Sequence, residues 1–500
     1  MMVPHTKCKV THLAQPHLQP DNQRLVIRPF VPNAERIRSI IDRVAAMPQE
    51  QIQRELEDVI SLFQSDHGDL IERFKEYYNM AMKTQRAENK EQLALSKPKY
   101  SAEQLKESRA AKTEECMHSD QKERRAESKL QSVGRLLAGA YFTSEYAFEA
   151  TALFNPSIVW APVCEQKDAV LDSDSSTECI PYKPSQGFIL SARSVGEGHV
   201  SSISFRTGQI DEAGNVSIDP VRRTAMQGKL RHLQGARHLS SGKQLENSKH
   251  LTGMSIEKND VTEISFRKTT PISQRLIFPS SADERGGMED ARFVRFVQDD
   301  GSITYYATYT AYDGHNILPK LIETTDFGHF CISKLAGKMA LNKGMALFPR
   351  KIGGQYVMLS RIDGESLYIM FSRELLAWNT AIKIAAPLYP WEFMQIGNCG
   401  SPIEMPEGWL VLTHGVGSLR RYSIGAMLLD KDDPAKVIGR LAVPLISPDE
   451  RERMGYVPNV VYTCGSIIHG GNLVIPYGSA DFSIGFITVN VKELMQAVSK

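Results

Sequence analysis

"EDARFVRFVQDDGSITYYATYTAYD", residues 289–313, reads as two strands about a glycine turn. Its runs are rich in Phe, Val, Ile, Tyr and Thr, which suit a pleated, half-buried surface. The stretch opens on an acidic pair, Glu289 and Asp290, with Arg292 close behind, and it ends on Asp313. The same plan recurs along the chain: a polar opening residue, an apolar strand, a turn with glycine, a second strand, and a polar residue where that strand ends. "FNPSIVWAPV" with "GFILSARS" precedes it, and "KGMALFPRKIGGQYVMLSRID", "GNCGSPIEMPEGWLVLTHGV" and "PNVVYTCGSIIHGGNLVIPYGSAD" follow. From Asp290 through Lys343 and Asn398 to Asn459 the steps are 53, 55 and 61 residues, the length of a four-stranded propeller blade with its loops.

Five copies predict a mainly β chain: a five-bladed β-propeller over 136–500, preceded by an N-terminal α-helical extension over 1–135. The polar stretches at 165–186 and 219–262 read as insertions between the first two copies. A propeller brings equivalent positions to one axis. The polar residues at the strand ends, Asn155, Arg193, Asp290, Lys343, Arg361, His414 and Asp481, are therefore expected to converge on one pocket.

In the extension, Ile37, Ile40, Ile41 and Val44 recur at helical spacing after Asn33, a residue suited to an N-cap, and Pro48 breaks the run. Ile52, Leu56, Val59, Ile60 and Phe63 mark a second helix, and Leu70, Ile71, Phe74, Tyr77 and Tyr78 a third. The pattern is amphipathic, and it predicts a homo-oligomer formed through these helices. Residues 83–130 are dense in charges of mixed sign, which reads as a solvated helix or linker rather than a nucleic-acid patch.

The 500 residues carry a net charge of +1. Near-neutrality excludes an overall electrostatic drive toward nucleic acid or an anionic membrane. No apolar run approaches the ~20 residues of a membrane span, and the first residues lack a signal-peptide core. The seven cysteines, Cys8, Cys116, Cys164, Cys179, Cys331, Cys399 and Cys464, are odd in number and scattered. They predict free thiols in a reducing, cytoplasmic compartment.

The block from about 136 to 495 resembles glycoside hydrolase family 130, whose members include inverting β-mannoside phosphorylases and some β-mannosidases on a five-bladed propeller. The resemblance rests on "FNPSIV", "GMEDARFVRF", "TYTAYD", "NKGMALFPRKIGGQYVMLSR", "EGWLVLTHGV", "YSIGAMLLD", "YVPNVVY" and "YGSAD", in order along the chain. It implies that Asp290 is the general acid, acting on the glycosidic oxygen through a sugar hydroxyl. It implies phosphate contacts at Lys343 and Arg361, with His414 and Tyr422 as further phosphate neighbours. Asn155, Arg193 and Asp481 correspond to contacts with the reacting mannose or its rim.

Inverting hydrolysis requires two carboxyls, one as acid and one to activate water. Phosphorolysis requires one acid and a cationic cage, because phosphate is already a nucleophile. One well-placed acid, Asp290, beside the cationic or potentially cationic Lys343, Arg361 and His414 favours phosphorolysis, with inorganic phosphate as cosubstrate and no metal or organic cofactor. The expected products are α-mannose 1-phosphate and a shortened manno-oligosaccharide. Three departures from the family pattern keep an inverting β-mannosidase open: Gln395 stands where many phosphorylases have lysine, Ser194 where they often have aspartate, and "LSRIDGES" replaces their His-Arg-Pro ending. Its base would be Asp481, Glu450 or Glu452. A non-catalytic sugar-binding propeller is the alternative of another class.

Each site residue also has a plainer reading. Asp290 with Arg292 could be a structural ion pair, Arg361 a tie between blades, His414 a core histidine and Lys343 a turn cap. Tyr422 has the least behind it. Glu197 and His199 have a spacing that could suit a metal but no further ligand cluster, so a loop is expected there. Trp391 in "YPWEF" is as readily packing as a sugar platform.

Overall fold

Strand pairing in the C-terminal region gives the third, fourth and fifth repeats a sheet each and joins the first two in one. The computed structural model describes residues 8–95, 130–162, 187–233 and 260–499. Cys116, Cys164, Cys179, the 165–186 stretch and most of 83–130 lie outside the described residues, as does the middle of 219–262. The described residues are mainly β.

The first repeat forms Ala152–Trp160, Gly187–Val195 and Ser201–Ile210, with Val216–Ile218 at the edge. The second forms the antiparallel series Gly287–Val297, Ile303–Tyr312, Ile317–Thr324 and His329–Lys334, extended by Val261–Ser265 and Lys229–Leu233. The two share a 14-stranded sheet, joined where Gly287 pairs with Ser201. Gly287 has φ 130°, and a Cβ there would run into the Ser201 backbone and hydroxyl, so only glycine serves. The third repeat is a four-stranded sheet starting at Ala346–Leu347; the fourth and fifth are five-stranded, starting at Gln395–Asn398 and Val461–Tyr462. No sheet closes on itself among the described residues.

The repeats instead share hydrophobic cores with their neighbours. An aromatic cluster including Phe205, Phe293, Phe327 and Phe330 joins the first to the second. Phe296 and Tyr306 meet Leu347 and Met358 of the third, whose Leu359 and Ile369 meet Ile396 and Trp409 of the fourth. Leu412 and Ile424 meet Val461 and Ile475 of the fifth. Val474 and Ile484 then return to Leu153, Ile158 and Phe188 of the first. Burying each such side chain contributes about 1.5–3 kcal/mol, so every repeat depends on both neighbours for its core.

A second compact unit, Leu25–Tyr146, holds the helices Ala34–Ala46, Gln49–Phe63, Leu70–Leu95 and Ser132–Tyr141. Asn33 caps the first, its side-chain oxygen accepting from the Arg36 N–H at 3.0 Å. Ile37, Ile41, Ile52, Leu56, Phe74 and Tyr77 form its core. The sequence draws the domain boundary at 135/136. The compact units divide differently, with Met1–Arg24 grouped with Ala147–Lys500. The physical reason is a short strand, Val10–His12, that pairs with Ser483–Asn490 at the far end of the chain. No described helix is long and apolar enough to cross a membrane.

Candidate active site

Asp290 is aimed by a β-bulge. The pairing of Gly287–Val297 with its neighbour slips between Glu289 and Arg292, and Asp290 sits at φ 55°. In a regular strand, adjacent side chains point to opposite faces; the bulge lets Glu289 and Asp290 share one set of partners. The first repeat has the same slip, between Phe154 and Ser157, with Asn155 at φ 48°. Asn342, Asn459 and Asp481 are also at positive φ, at 64°, 62° and 48°. The first two repeats thus share one backbone device that turns a short polar side chain out of the ladder.

Asn155 Nδ2 donates to Asp290 Oδ1 at 2.6 Å. Arg193 reaches Asp290 Oδ1 at 3.5 Å and Glu289 Oε1 at 2.8 Å. Lys343 Nζ donates to the other Glu289 oxygen at 2.6 Å. Asn155, Arg193, Glu289, Asp290 and Lys343, from three repeats, therefore form one cluster. Arg292 lies behind it. Its guanidinium donates to the Asp290 carbonyl at 2.8 Å, the Cys399 carbonyl at 2.7 Å and the Tyr462 hydroxyl at 2.8 Å. It is 3.9 Å from the Asp290 carboxylate. Arg292 thus ties three repeats together beneath the acid, and the tie runs chiefly through main-chain carbonyls rather than a tight Asp290–Arg292 pair.

Burial alone would raise the Asp290 carboxyl. Arg193, Arg292, the Asn155 amide and Lys343 outweigh it and hold the group below the usual carboxylate range. Asp481 goes the other way. Burial, then the charge of Asp290, push its carboxyl up to about 7 against the pull of Arg193. A raised carboxyl favours folding fully below its unfolded pKa near 4, and that contribution is lost as pH rises toward 7. Asp481→Asn should therefore melt higher than wild type at pH 8 and like it at pH 4, by on the order of 1–2 kcal/mol once solvent screening is discounted. Thermal midpoints at the two pH values check this.

Arg361 and His414 form a second cluster. His414 Nδ1 faces the Asn398 carbonyl at 3.1 Å, which assigns it the proton, and Nε2 then accepts from Arg361 NH1 at 2.8 Å. Burial, Arg361 and Arg292 hold the imidazole well below its ordinary value. His414 is thus neutral near pH 7, a correction to its place among the potential cations: the tertiary neighbours that set its charge are absent from its local sequence. Gly397 makes the approach possible, since a Cβ there would stand 2.6 Å from the imidazole and 3.3 Å from the Arg361 side chain. Gln395 lies against both residues. Its amide lies 3.0 Å from His414 Nε2. Tyr422 stacks on His414 at 6.2 Å, and Tyr462 meets it edge-on at 5.0 Å.

Several buried polar atoms in these clusters have no partner among the described residues: Asn155 Oδ1, Arg193 Nε, Arg361 Nε, and both amide atoms of Asn398. Leaving such a group unsatisfied costs about 1–3 kcal/mol. A polar ligand would match this unused capacity.

The remaining residues fall elsewhere. Glu452 caps its own turn, accepting from the Asp449 N–H at 3.0 Å and the Ser479 hydroxyl at 3.2 Å, and Glu450 is exposed. Neither has a recorded contact with the Asp290 cluster. Ser194 bonds Ser204 and Glu149 at 2.6 and 3.2 Å, away from the pocket. Trp391 donates to the Ala442 carbonyl and packs where Gly415 and Gly425 leave room, which is ordinary packing. His199 stacks on Tyr456, which it also hydrogen-bonds at 2.9 Å. Glu289 was missed as a site residue, although it is the carboxylate that joins Arg193 to Lys343. The glycine pair and acidic pair of "GGMED" were the available signal for a bulge.

The family model described as beta-1,4-mannooligosaccharide phosphorylase matches residues 248–500. A 1,2-beta-oligomannan phosphorylase of Thermoanaerobacter sp. (strain X514) is 38% identical over 155 residues, 31% of this chain and 52% of that protein. A beta-1,2-mannobiose phosphorylase of the same organism is 32% identical over 215 residues, 42% of this chain and 69% of that protein. The solved beta-1,2-mannobiose phosphorylase from Listeria innocua, in complex with beta-1,2-mannobiose, aligns over 70% of this chain and 92% of its own, with a TM-score of 0.44 and 20% identity. The chain thus spans about half the length of the first of these relatives. With the family model covering the stretch that carries Asp290, Lys343, Arg361, His414, Tyr422 and Asp481, the chain belongs to glycoside hydrolase family 130.

Proposed function

We propose that this chain is an inverting glycoside phosphorylase that cleaves terminal β-mannosides of manno-oligosaccharides with inorganic phosphate, giving α-mannose 1-phosphate. The carrying observation is the composition of the site: the Asp290 carboxylate held by an amide and a guanidinium, the neighbouring Glu289 carboxylate engaging Lys343, and a second cation, Arg361, on the same repeat as Lys343. The names of the relatives support the same reading. The fold is a five-bladed β-propeller closed by packing. The shared cores between successive repeats support this, as does a cavity of about 510 Å³ lined by residues of all five repeats, among them Trp160, Arg295, Arg350, Ile403 and Ile467.

Asn155, Arg193 and Asp481 hold the terminal mannose, and Lys343 and Arg361 hold phosphate on the face away from the leaving oxygen. His414, stacked on Tyr422, orients Arg361 through its Nε2 lone pair. Phosphate oxygen attacks the anomeric carbon, the bond to the leaving oxygen breaks, and Asp290 supplies that oxygen with a proton by way of a sugar hydroxyl. Asp290 is ionised at neutral pH without ligands. An arriving phosphate raises its pKa as a neighbouring like charge does, so the carboxylate takes up a proton from solvent before the bond to the leaving oxygen breaks. The protein acts in the cytoplasm, its reaction uses no metal or organic cofactor, and the helical unit mediates self-association.

One observation favours a second reading, an inverting β-mannosidase. The Asp481 carboxyl near 7 is suited to activating water. Incubation with β-1,2- and β-1,4-linked manno-oligosaccharides, with and without phosphate, tests the proposal. Consumption of substrate that depends on phosphate is expected. Consumption at the same rate without phosphate supports the mannosidase, and none in either condition, with sugar still bound, supports a binding propeller.

A further inference from the structure

The second repeat carries a group of metal-type ligands on its outermost strands, away from Asp290. Val261–Ser265 pairs antiparallel with His329–Lys334, placing Glu263 opposite Cys331 and Ser265 opposite His329. Phe330 and Ile332 are buried in the core, so by strand alternation His329 and Cys331 share the outer face with Glu263. Ligand atoms of Glu263, His329 and Cys331 all lie within 4.8 Å of one another. The strand order puts Cys331 three strands from Asp290, roughly 14 Å at ordinary strand spacing.

We infer that Glu263, His329 and Cys331 form a binding site for a thiophilic divalent cation, with zinc the ion the donor set fits. One thiolate, one imidazole and one carboxylate are all zinc ligands, with bonds of about 2.0–2.3 Å that set donors some 3.3–3.8 Å apart in a tetrahedron. Small rotamer changes bring the three donors to that spacing, and water completes the shell.

Glu323 of the Ile317–Thr324 strand stands opposite Cys331 on its other side. Arg231 lies 3.7 Å from Glu263, an ion pair with the arginine largely exposed. A bound dication would pin the two neighbouring strands that carry its ligands. Binding displaces the Cys331 thiol proton to water, so affinity rises with pH.

Titration of the full-length protein with cobalt(II) tests the site. A thiolate-to-cobalt charge-transfer band is expected, saturating at one ion per chain and lost when zinc is added. Cys331→Ser should abolish it. His329→Ala, at an exposed position that leaves the core intact, should weaken binding by at least the roughly 10–100-fold that loss of an outer metal partner costs. Zinc should also raise the thermal midpoint of the wild type and not of Cys331→Ser. No band in the wild type, or one undiminished in Cys331→Ser, overturns the assignment.

Discussion

Asp290→Asn should cut turnover of a manno-oligosaccharide by about 10²–10⁴-fold, the usual contribution of a general acid. The amide has nearly the shape of the carboxylate but carries no transferable proton. Arg292 donates to the Asp290 main-chain carbonyl, and that bond survives the substitution, so the thermal midpoint should move little. Sugar binding, measured calorimetrically, should persist, since an amide still bonds Asn155 and Arg193. An aryl β-mannoside whose phenol leaves readily needs less protonation, so the loss on that substrate should be smaller. A fall in midpoint with retained turnover would instead mark Asp290 as a structural ion-pair partner.

Glu149→Gln should destabilise the β unit by about 3–5 kcal/mol, the cost of breaking a buried ion pair from one side. Glu149 is fully buried and accepts from Arg24 at 2.9 Å, from Arg206 at 2.9 and 2.7 Å, and from Ser194 at 3.2 Å. Losing its charge leaves two buried guanidinium groups without the carboxylate they share. Burial acts to raise the Glu149 carboxyl, but Arg206 and Arg24 outweigh it and hold the group below its ordinary value. A depressed carboxyl stabilises fully above its unfolded pKa and loses that contribution as pH falls through the folded one. The wild type should therefore lose stability as pH drops below about 4.5, and the variant should lack that part of the loss. Thermal midpoints of the β unit across pH 3 to 8 check both the size and the pH dependence.

The β repeats were legible because strands of Val, Ile, Phe and Tyr about glycine turns recur with fixed polar marks. Asp290, Asn155, Arg193 and Lys343 were named together from those marks, and the structure brings them into contact. Glu289 escaped because strict alternation would turn it away from Asp290; the bulge that cancels alternation depends on backbone dihedrals. The charge of His414 escaped for another reason: burial, with Arg361 and Arg292, keeps it neutral, and those arginines are 53 and 122 residues distant in the chain. The Val10–His12 strand has only three residues, and its partner lies almost 480 residues on, so no local pattern could reveal it. The helix Ser132–Tyr141 was overlooked because it is short and follows a highly charged stretch.

The most direct test of phosphorolysis is to follow a manno-oligosaccharide and phosphate with this protein by phosphorus and proton magnetic resonance. The account predicts that α-mannose 1-phosphate appears at the rate at which substrate and phosphate disappear. Free mannose with the phosphate signal unchanged would contradict it.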